Sequence, residues 1–281
     1  MSDPVPLSSR RRETGSASAR SLLLTVLGEF VHPARRPVWT ATLLEALALL
    51  GVEERSARQA LTRTANEGLL VSTRHGRRVL WELTPAGGSL LEEGTRRIYG
   101  FMRGRGPWDG RWLVLSVPLP ETQRRLRHRL RTRLTWLGLG SPTPGLWVSP
   151  DATKADAVAG VVDELGLGDH AFAWVGPAGG IGDEGRLLAD AWDLAHVADR
   201  YVAFLEDFGA RVARSPADAF VAQVELVQAW RGFPFLDPDL PGELLDHDWP
   251  GPRAAAVFHD RHATWQATAQ AQWQRLAPGG Q

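Results

Sequence analysis

The stretch RSARQALTRTANEGLLVSTRHGRRVLWEL, residues 55–83, decides the fold. On a helical wheel, Ala57, Ala60, Leu61, Thr64 and Ala65 gather on one side, and Arg55, Ser56, Arg58, Gln59, Thr62, Arg63 and Asn66 on the other. Small apolar side chains let such a helix lie close to its scaffold, while the opposite face carries long planar donors suited to base edges and phosphates. Gly68 ends the helix, because glycine takes the left-handed C-cap conformation at little cost. Leu69, Val71 and Thr73 then alternate toward a turn at His75-Gly76, and Val79, Trp81 and Leu83 alternate away from it. Arg74, Arg77 and Arg78 flank the turn. A helix, a stop and a basic hairpin in this order read as the recognition helix and wing of a winged helix-turn-helix. The DNA-binding candidates are therefore Arg55, Ser56, Arg58, Gln59, Thr62, Arg63, Arg74, His75, Arg77 and Arg78. Six arginines between 55 and 82 face only Glu67 and Glu82. The competing readings are a solvated helix face and a winged helix that contacts protein.

Working outward, residues 1–18 read as a disordered basic tail, rich in Ser, Pro and Arg. A first helix covers about 19–31. Thr40 caps a second, with Leu43, Leu44, Leu47 and Leu50 as its buried stripe, and Ser56 and Gln59 have capping-box spacing at the start of the third. Thr84-Pro85 opens a further helix to about Ile98, and the glycine-rich run FMRGRGPWDG, 101–110, marks a boundary. Beyond it come strand (111–117), helix (121–137), strand (146–148), helix (154–165) and strand (171–175), an order that suggests a ferredoxin-like α/β sandwich. From Arg186 the pattern is nearly all helical, interrupted at 232–252. The expected class is a multidomain α+β protein. Its parts are a tail (1–18), a winged helix-turn-helix (19–100), a ferredoxin-like domain (101–180) and a helical domain for effector binding and dimerisation (181–281), with 187–230 as the dimer interface.

The formal net charge is zero, yet residues 1–140 carry 23 arginines against 12 carboxylates and residues 141–281 carry nine basic residues against 20 carboxylates. A basic half and an acidic half imply separate tasks. No cysteine is present, which excludes disulfides and thiolate metal sites. The arginines at 10–12 precede no apolar segment of signal-peptide type, and no 18-residue apolar run exists, so a cytoplasmic protein without membrane contact is expected.

With this layout established, the sequence resembles the PaaX family of bacterial repressors. The matching pieces are SARQALTRTANEGLL (56–70), GRRVLWELTPAG (76–87), WDGRWLVLSVP (108–118), LGLGSPTPGLWVSP (137–150) and FPFLDPDLPGELLDHDWPG (233–251), collinear over about 20–275. The resemblance implies a winged helix, a ferredoxin-like domain and a helical domain. It also implies a homodimer that leaves double-stranded operator DNA when a CoA thioester binds, phenylacetyl-CoA in the founding members. The chain departs from the family pattern at Asp246, where a proline is expected, and at Gln228-Ala229-Trp230, where a His-x-Tyr-like segment is expected.

Other constellations carry less. Gly180–Gly185 matches GxGxxG, but Asp183 and Glu184 would face the pyrophosphate and no parallel strand follows, so an interdomain linker is the better reading. His259 and His262 stand one helical turn apart but have no obvious third ligand, and a surface pair is expected rather than a metal site. The helix at 121–137 carries six arginines against Glu121, readable as a solvated face, a DNA contact or a phosphate site. Ferredoxin-like sheets of this kind also resemble the nuclease subunit of CRISPR adaptation complexes, which place a metal-binding Asp at the end of the first strand. Here that strand ends Ser116-Val117-Pro118. A metal-dependent nucleic-acid enzyme is thus the alternative to a repressor, and no enzymatic activity or cofactor is expected. Among twelve tryptophans, Trp192, Trp230 and Trp249, with Arg231, are the ligand-binding candidates for an acyl-CoA-type effector.

Overall fold

Ser18 opens the first helix by accepting the Ser21 N–H on its hydroxyl at 3.2 Å. In the computed structural model, which describes residues 17–103 and 107–277, α1 (Ala19–Val26) runs on through a π-helical turn, Leu27–Val31. The tail expected over 1–18 lies, except for its last two residues, outside the described residues. Helix α2 (Thr40–Leu49) begins one residue earlier than expected, with Trp39 at its cap. The Thr40 hydroxyl is occupied elsewhere: it donates to the Val79 carbonyl at 3.1 Å and accepts the Trp81 indole N–H at 2.8 Å. Helix α3 (Glu54–Asn66) is capped at Glu53, so Ser56 lies inside the helix and makes no capping box. Gly68 has φ +76°, the left-handed turn that releases the chain into a hairpin.

That hairpin pairs β2 (Leu70–His75) with β3 (Arg78–Leu83), closing on His75 opposite Arg78, so the turn falls at Gly76-Arg77, one residue later than the sequence suggested. The buried residue at its base is Leu70, not Leu69. A short β1 (Val38–Trp39) adds a third antiparallel strand, giving the order β1-β3-β2. Thr84 accepts the Gly87 N–H at 3.0 Å and Pro85 starts α4 (Pro85–Gly100). Leu23, Leu27, Leu43, Leu47, Ala57 and Leu61 form the buried interior of these helices.

The chain divides into two compact units. The first takes in the described residues up to Glu92 together with Ser215–Gln228 and the segment from Thr268; the second holds Glu93–Arg214 and Ala229–Ala267. Helices α9 (Pro216–Trp230) and α11 (Gly251–Leu276) contribute to both. Within the first unit, Gln228 accepts from Thr25 at 2.8 Å and donates to Ser21 at 2.6 Å, Gln223 donates to Glu29 at 2.8 Å, and Phe30 packs between Phe220 and Trp273. Late-sequence helices thus complete the core around α1.

The second unit is built on an antiparallel sheet of order β5-β6-β4-β7, made from β4 (Arg111–Ser116), β5 (Gly140–Thr143), β6 (Leu146–Ser149) and β7 (Phe172–Pro177). Helix α5 (Arg124–Trp136) follows β4, and α6 (Ala155–Glu164) precedes β7. The element order is β-α-β-β-α-β, one strand more than the sequence revealed, because Gly140-Ser-Pro-Thr143 has poor strand propensity. Pro142 is tolerated because β5 is an edge strand. Alternation along β4 buries both faces. Leu113 and Leu115 pack on Leu130, Leu134, Val158 and Val162, while Trp112 meets Val148, Leu188 and Leu240 on the other side. Helices α7 (Glu184–Ala191), α8 (Leu194–Phe208) and α10 (Phe233–Leu236) complete this unit with the first part of α11. Their shared core is aromatic: Trp230 stacks on Phe258 at 4.8 Å and Tyr201 on Phe233 at 4.2 Å.

Candidate nucleic-acid interface and effector cleft

Helix α3 turns Ala57, Ala60, Leu61 and Thr64 inward. Thr64 can be wholly buried because its hydroxyl donates to the Ala60 carbonyl at 2.8 Å. Arg55, Arg58, Gln59, Thr62, Arg63 and Asn66 share one exposed surface, with Ser56 half-buried at its edge. Arg58 is held by Glu54 at 2.7 Å, an exposed pair of small energy that a phosphate can replace. No intrahelical carboxylate engages Arg55 or Arg63 among the described contacts.

The three arginines of the hairpin differ in setting. Arg74 donates to the Gly76 carbonyl at 3.1 Å, inside the turn. The Arg78 guanidinium lies 4.1 Å from the centre of the Trp39 ring, and His75 meets the same ring edge-on at 5.7 Å. Arg77 has no partner among the described residues and projects from the turn. The sequence reading missed Trp39. Its signal was an aromatic residue next to the second helix, which becomes legible only once β1 pairs with β3.

The ligand candidates separate. Trp230 is fully buried, donates its indole N–H to the Ile98 carbonyl at 3.1 Å, and belongs to the aromatic core; Arg231 follows it in the chain. Trp192 and Trp249 instead line one cleft of about 1440 Å³ formed by α7, α8 and residues 244–253. Trp192 lies flat against Gly140 of β5, which leaves no room there for a Cβ. The indole nitrogens of Trp192 and Trp249 are both buried and have no hydrogen-bond partner among the described residues. Among the ligand candidates, the structure brings these two together and sets Trp230 apart.

The remaining motifs have structural occupations. Asp183 caps α7 by accepting from Gly185 and Arg186, so its carboxylate fills the helix N-terminus that the glycine motif would offer a phosphate. Strand β7 is antiparallel to β4, so no βαβ dinucleotide unit forms there. Tyr99 hydrogen-bonds His262 at 2.9 Å, and Arg103 contacts His259 at 2.9 Å. Burial first, then the Arg103 cation and His262, hold the His259 pKa below its ordinary value. Among the described residues, no group of three His, Asp or Glu is placed to hold a metal. Of the α5 arginines, Arg124 and Arg127 pair with Glu121 in the turn before the helix, and Arg133 pairs with Glu164 at the end of α6. No helix among the described residues is long and apolar enough to cross a membrane.

Comparison with known proteins follows this division. Residues 18–87 match the "PaaX-like protein" family, residues 105–188 the "PaaX protein central Cas2-like domain", and residues 192–275 the "PaaX-like protein C-terminal domain". The chain is 30% identical over 247 residues to the transcriptional repressor PaaX of Escherichia coli K12, covering 83% of this chain and 76% of that protein. The solved structure of the uncharacterized protein Rv0674 from Mycobacterium tuberculosis is similar at a TM-score of 0.63 and 28% identity, over 92% of this chain and 99% of that one. With all three domain matches in order and a relative 30% identical over 83% of this chain, the chain belongs to the PaaX family.

Proposed function

We propose that the protein is a transcriptional repressor that binds double-stranded operator DNA through a winged helix-turn-helix and is released by a small effector. The observation that carries this reading is the exposed α3 face, where Arg55, Arg58, Gln59, Thr62 and Arg63 stand together ahead of an arginine-tipped hairpin. In this reading α3 enters the major groove, Arg55, Gln59 and Arg63 meet base edges or phosphates, and Arg77 reaches the backbone beside it. Family membership supports the repressor role, since the Escherichia coli relative carries that name. We read the β-α-β-β-α-β unit as a ferredoxin-like domain and assign it a scaffolding role. Its first strand ends at Ser116, and neither Val117 nor Pro118 can ligate a metal as a carboxylate would.

Two finer elements belong to the proposal. One is a homodimer, because a single helix reads few base pairs and twofold symmetry doubles the reading. Besides the 187–230 segment that the sequence suggests for its interface, the sheet-edge strand β7, where Phe172 and Trp174 are 64% and 57% exposed, offers a supporting surface. The other is an acyl-CoA-type effector, implied by the family resemblance. A gel-shift titration of operator-bound protein with phenylacetyl-CoA and related thioesters tests release. Sedimentation as a monomer of 30.8 kDa, both free and on DNA, would rule out the dimer.

A further inference from the structure

Helix α5 carries six arginines in 13 residues and no carboxylate of its own. Leu130 and Leu134 turn inward, so the exposed side holds Arg125, His128, Arg129 and Arg131. Half of the six arginines are answered from outside the helix, by Glu121 and Glu164. Arg125, Arg129 and Arg131 have no partner among the described residues. This arrangement works against folding. Arg125 and Arg129, Arg127 and Arg131, and Arg129 and Arg133 stand four residues apart, and like charges at that spacing destabilise a helix. A local rule broken three times on one exposed helix marks a functional surface rather than a folding device. The character of the face narrows its partner. From Arg124 to Thr135 its exposed side chains are arginine, histidine and threonine, with none of the apolar anchors that the core of a protein interface requires. Arginine forks are matched instead to the oxygens of phosphates.

We propose that α5, in addition to its part in the scaffold, is a second DNA-contacting element that binds backbone phosphates of the duplex beyond the segment met by α3. Helices α3 and α5 belong to different compact units, and they do different work. Helix α3 presents glutamine and threonine among its arginines and can discriminate bases, whereas α5 presents cations that read no sequence. The α5 contact therefore adds affinity and salt dependence without adding preference for one sequence over another. The inference rests on the reading of the protein as DNA-binding, and the test keeps the two apart.

The test compares the full chain with two triple variants. One carries Arg125→Gln, Arg129→Gln and Arg131→Gln; the other carries lysine at the same three positions. Binding is followed by fluorescence anisotropy over a salt series, on a duplex trimmed to the footprinted operator and on one with about two helical turns (~20 bp) of flank on each side. On the longer duplex the glutamine variant should bind at least about tenfold more weakly, with a salt slope shallower by about 2–3 units, since each phosphate contact contributes about 0.9. The lysine variant keeps the charges and should keep most of that slope. On the trimmed duplex both variants should bind like the parent. In low salt the glutamine variant should melt no lower than the parent, because the like-charge pairs are gone. Parental affinity and slope of the glutamine variant on the longer duplex would overturn the proposal. So would an equal loss in the lysine variant, which would make the arginines structural. A glutamine variant that binds DNA normally but sediments as a smaller species would give the face to a second copy instead, and the proposal would fail. Operator preference in the parent, with a slope insensitive to α5, would sink this inference and leave the α3 reading intact. A parent without operator preference, whose slope still depends on α5, would do the reverse.

Discussion

The Tyr201 hydroxyl donates to Asp237 Oδ2 at 2.6 Å, and both residues are buried. Asp237 uses its other oxygen to accept the Asp239 N–H at 2.6 Å, at a residue whose φ is +57°. Burial first, and the Asp237 charge second, push the Tyr201 pKa well above its ordinary value, so the phenol stays a donor. This bond ties α8 to the corner leading into the 244–253 segment, which forms one side of the cleft.

Tyr201→Phe removes that donor while keeping the ring stacked on Phe233. The buried Asp237 carboxylate then loses a partner, and stability should fall by about 1–3 kcal/mol, read as a lowered midpoint in urea. Trp230→Ala, which empties a site at the centre of the aromatic core, should destabilise further, by about 3–5 kcal/mol. A Tyr201→Phe variant as stable as the parent would show that the hydrogen bond contributes nothing net.

The wing arginines should not behave alike. Arg77 is exposed with no partner among the described residues, so Arg77→Ala should weaken binding to all duplex sequences and reduce the salt slope by about one unit. Arg78 packs over Trp39, so Arg78→Ala should lower stability by about 0.5–1 kcal/mol. Fluorescence anisotropy across a salt series, alongside thermal melts, separates the two effects; identical behaviour of both variants would contradict the assignment.

Acid should destabilise the second unit through His259. Above about pH 6.5 this ring is neutral in folded and unfolded chains alike. Below it the unfolded chain takes up a proton that the folded site resists, so stability declines until the lowered folded pKa is passed. His259→Gln should flatten the fall in melting temperature between about pH 7 and pH 5. A variant with the parental pH slope would remove His259 from the account.

The fold was legible where periodicity was strong and local. Gly68, the α3 stripe and the β2–β3 hairpin follow from residues within a single stretch. Strand β5 was not legible, because Gly140 and Pro142 disfavour strands and only the pairing with β6 makes one. Nor was the packing of Phe220 and Trp273 against Phe30, which joins residues nearly two hundred or more positions apart. At the cleft, tryptophan identity pointed equally to Trp192, Trp230 and Trp249. What separates them is burial and the partner of each indole N–H: Trp230 has Ile98, and the other two have none among the described residues.

The central claim is that α3 reads operator DNA, and one measurement tests it most directly. The full chain and its Arg55→Ala, Gln59→Ala and Arg63→Ala variants are titrated against a duplex from its own promoter region and against a scrambled duplex at fixed salt. The account predicts that the parent prefers the promoter duplex by about 10³-fold or more. Each substitution that removes a base contact should lower that preference by about 1–3 kcal/mol while leaving affinity for the scrambled duplex closer to parental. Equal affinity of the parent for both duplexes, or variants indistinguishable from it, would contradict the account.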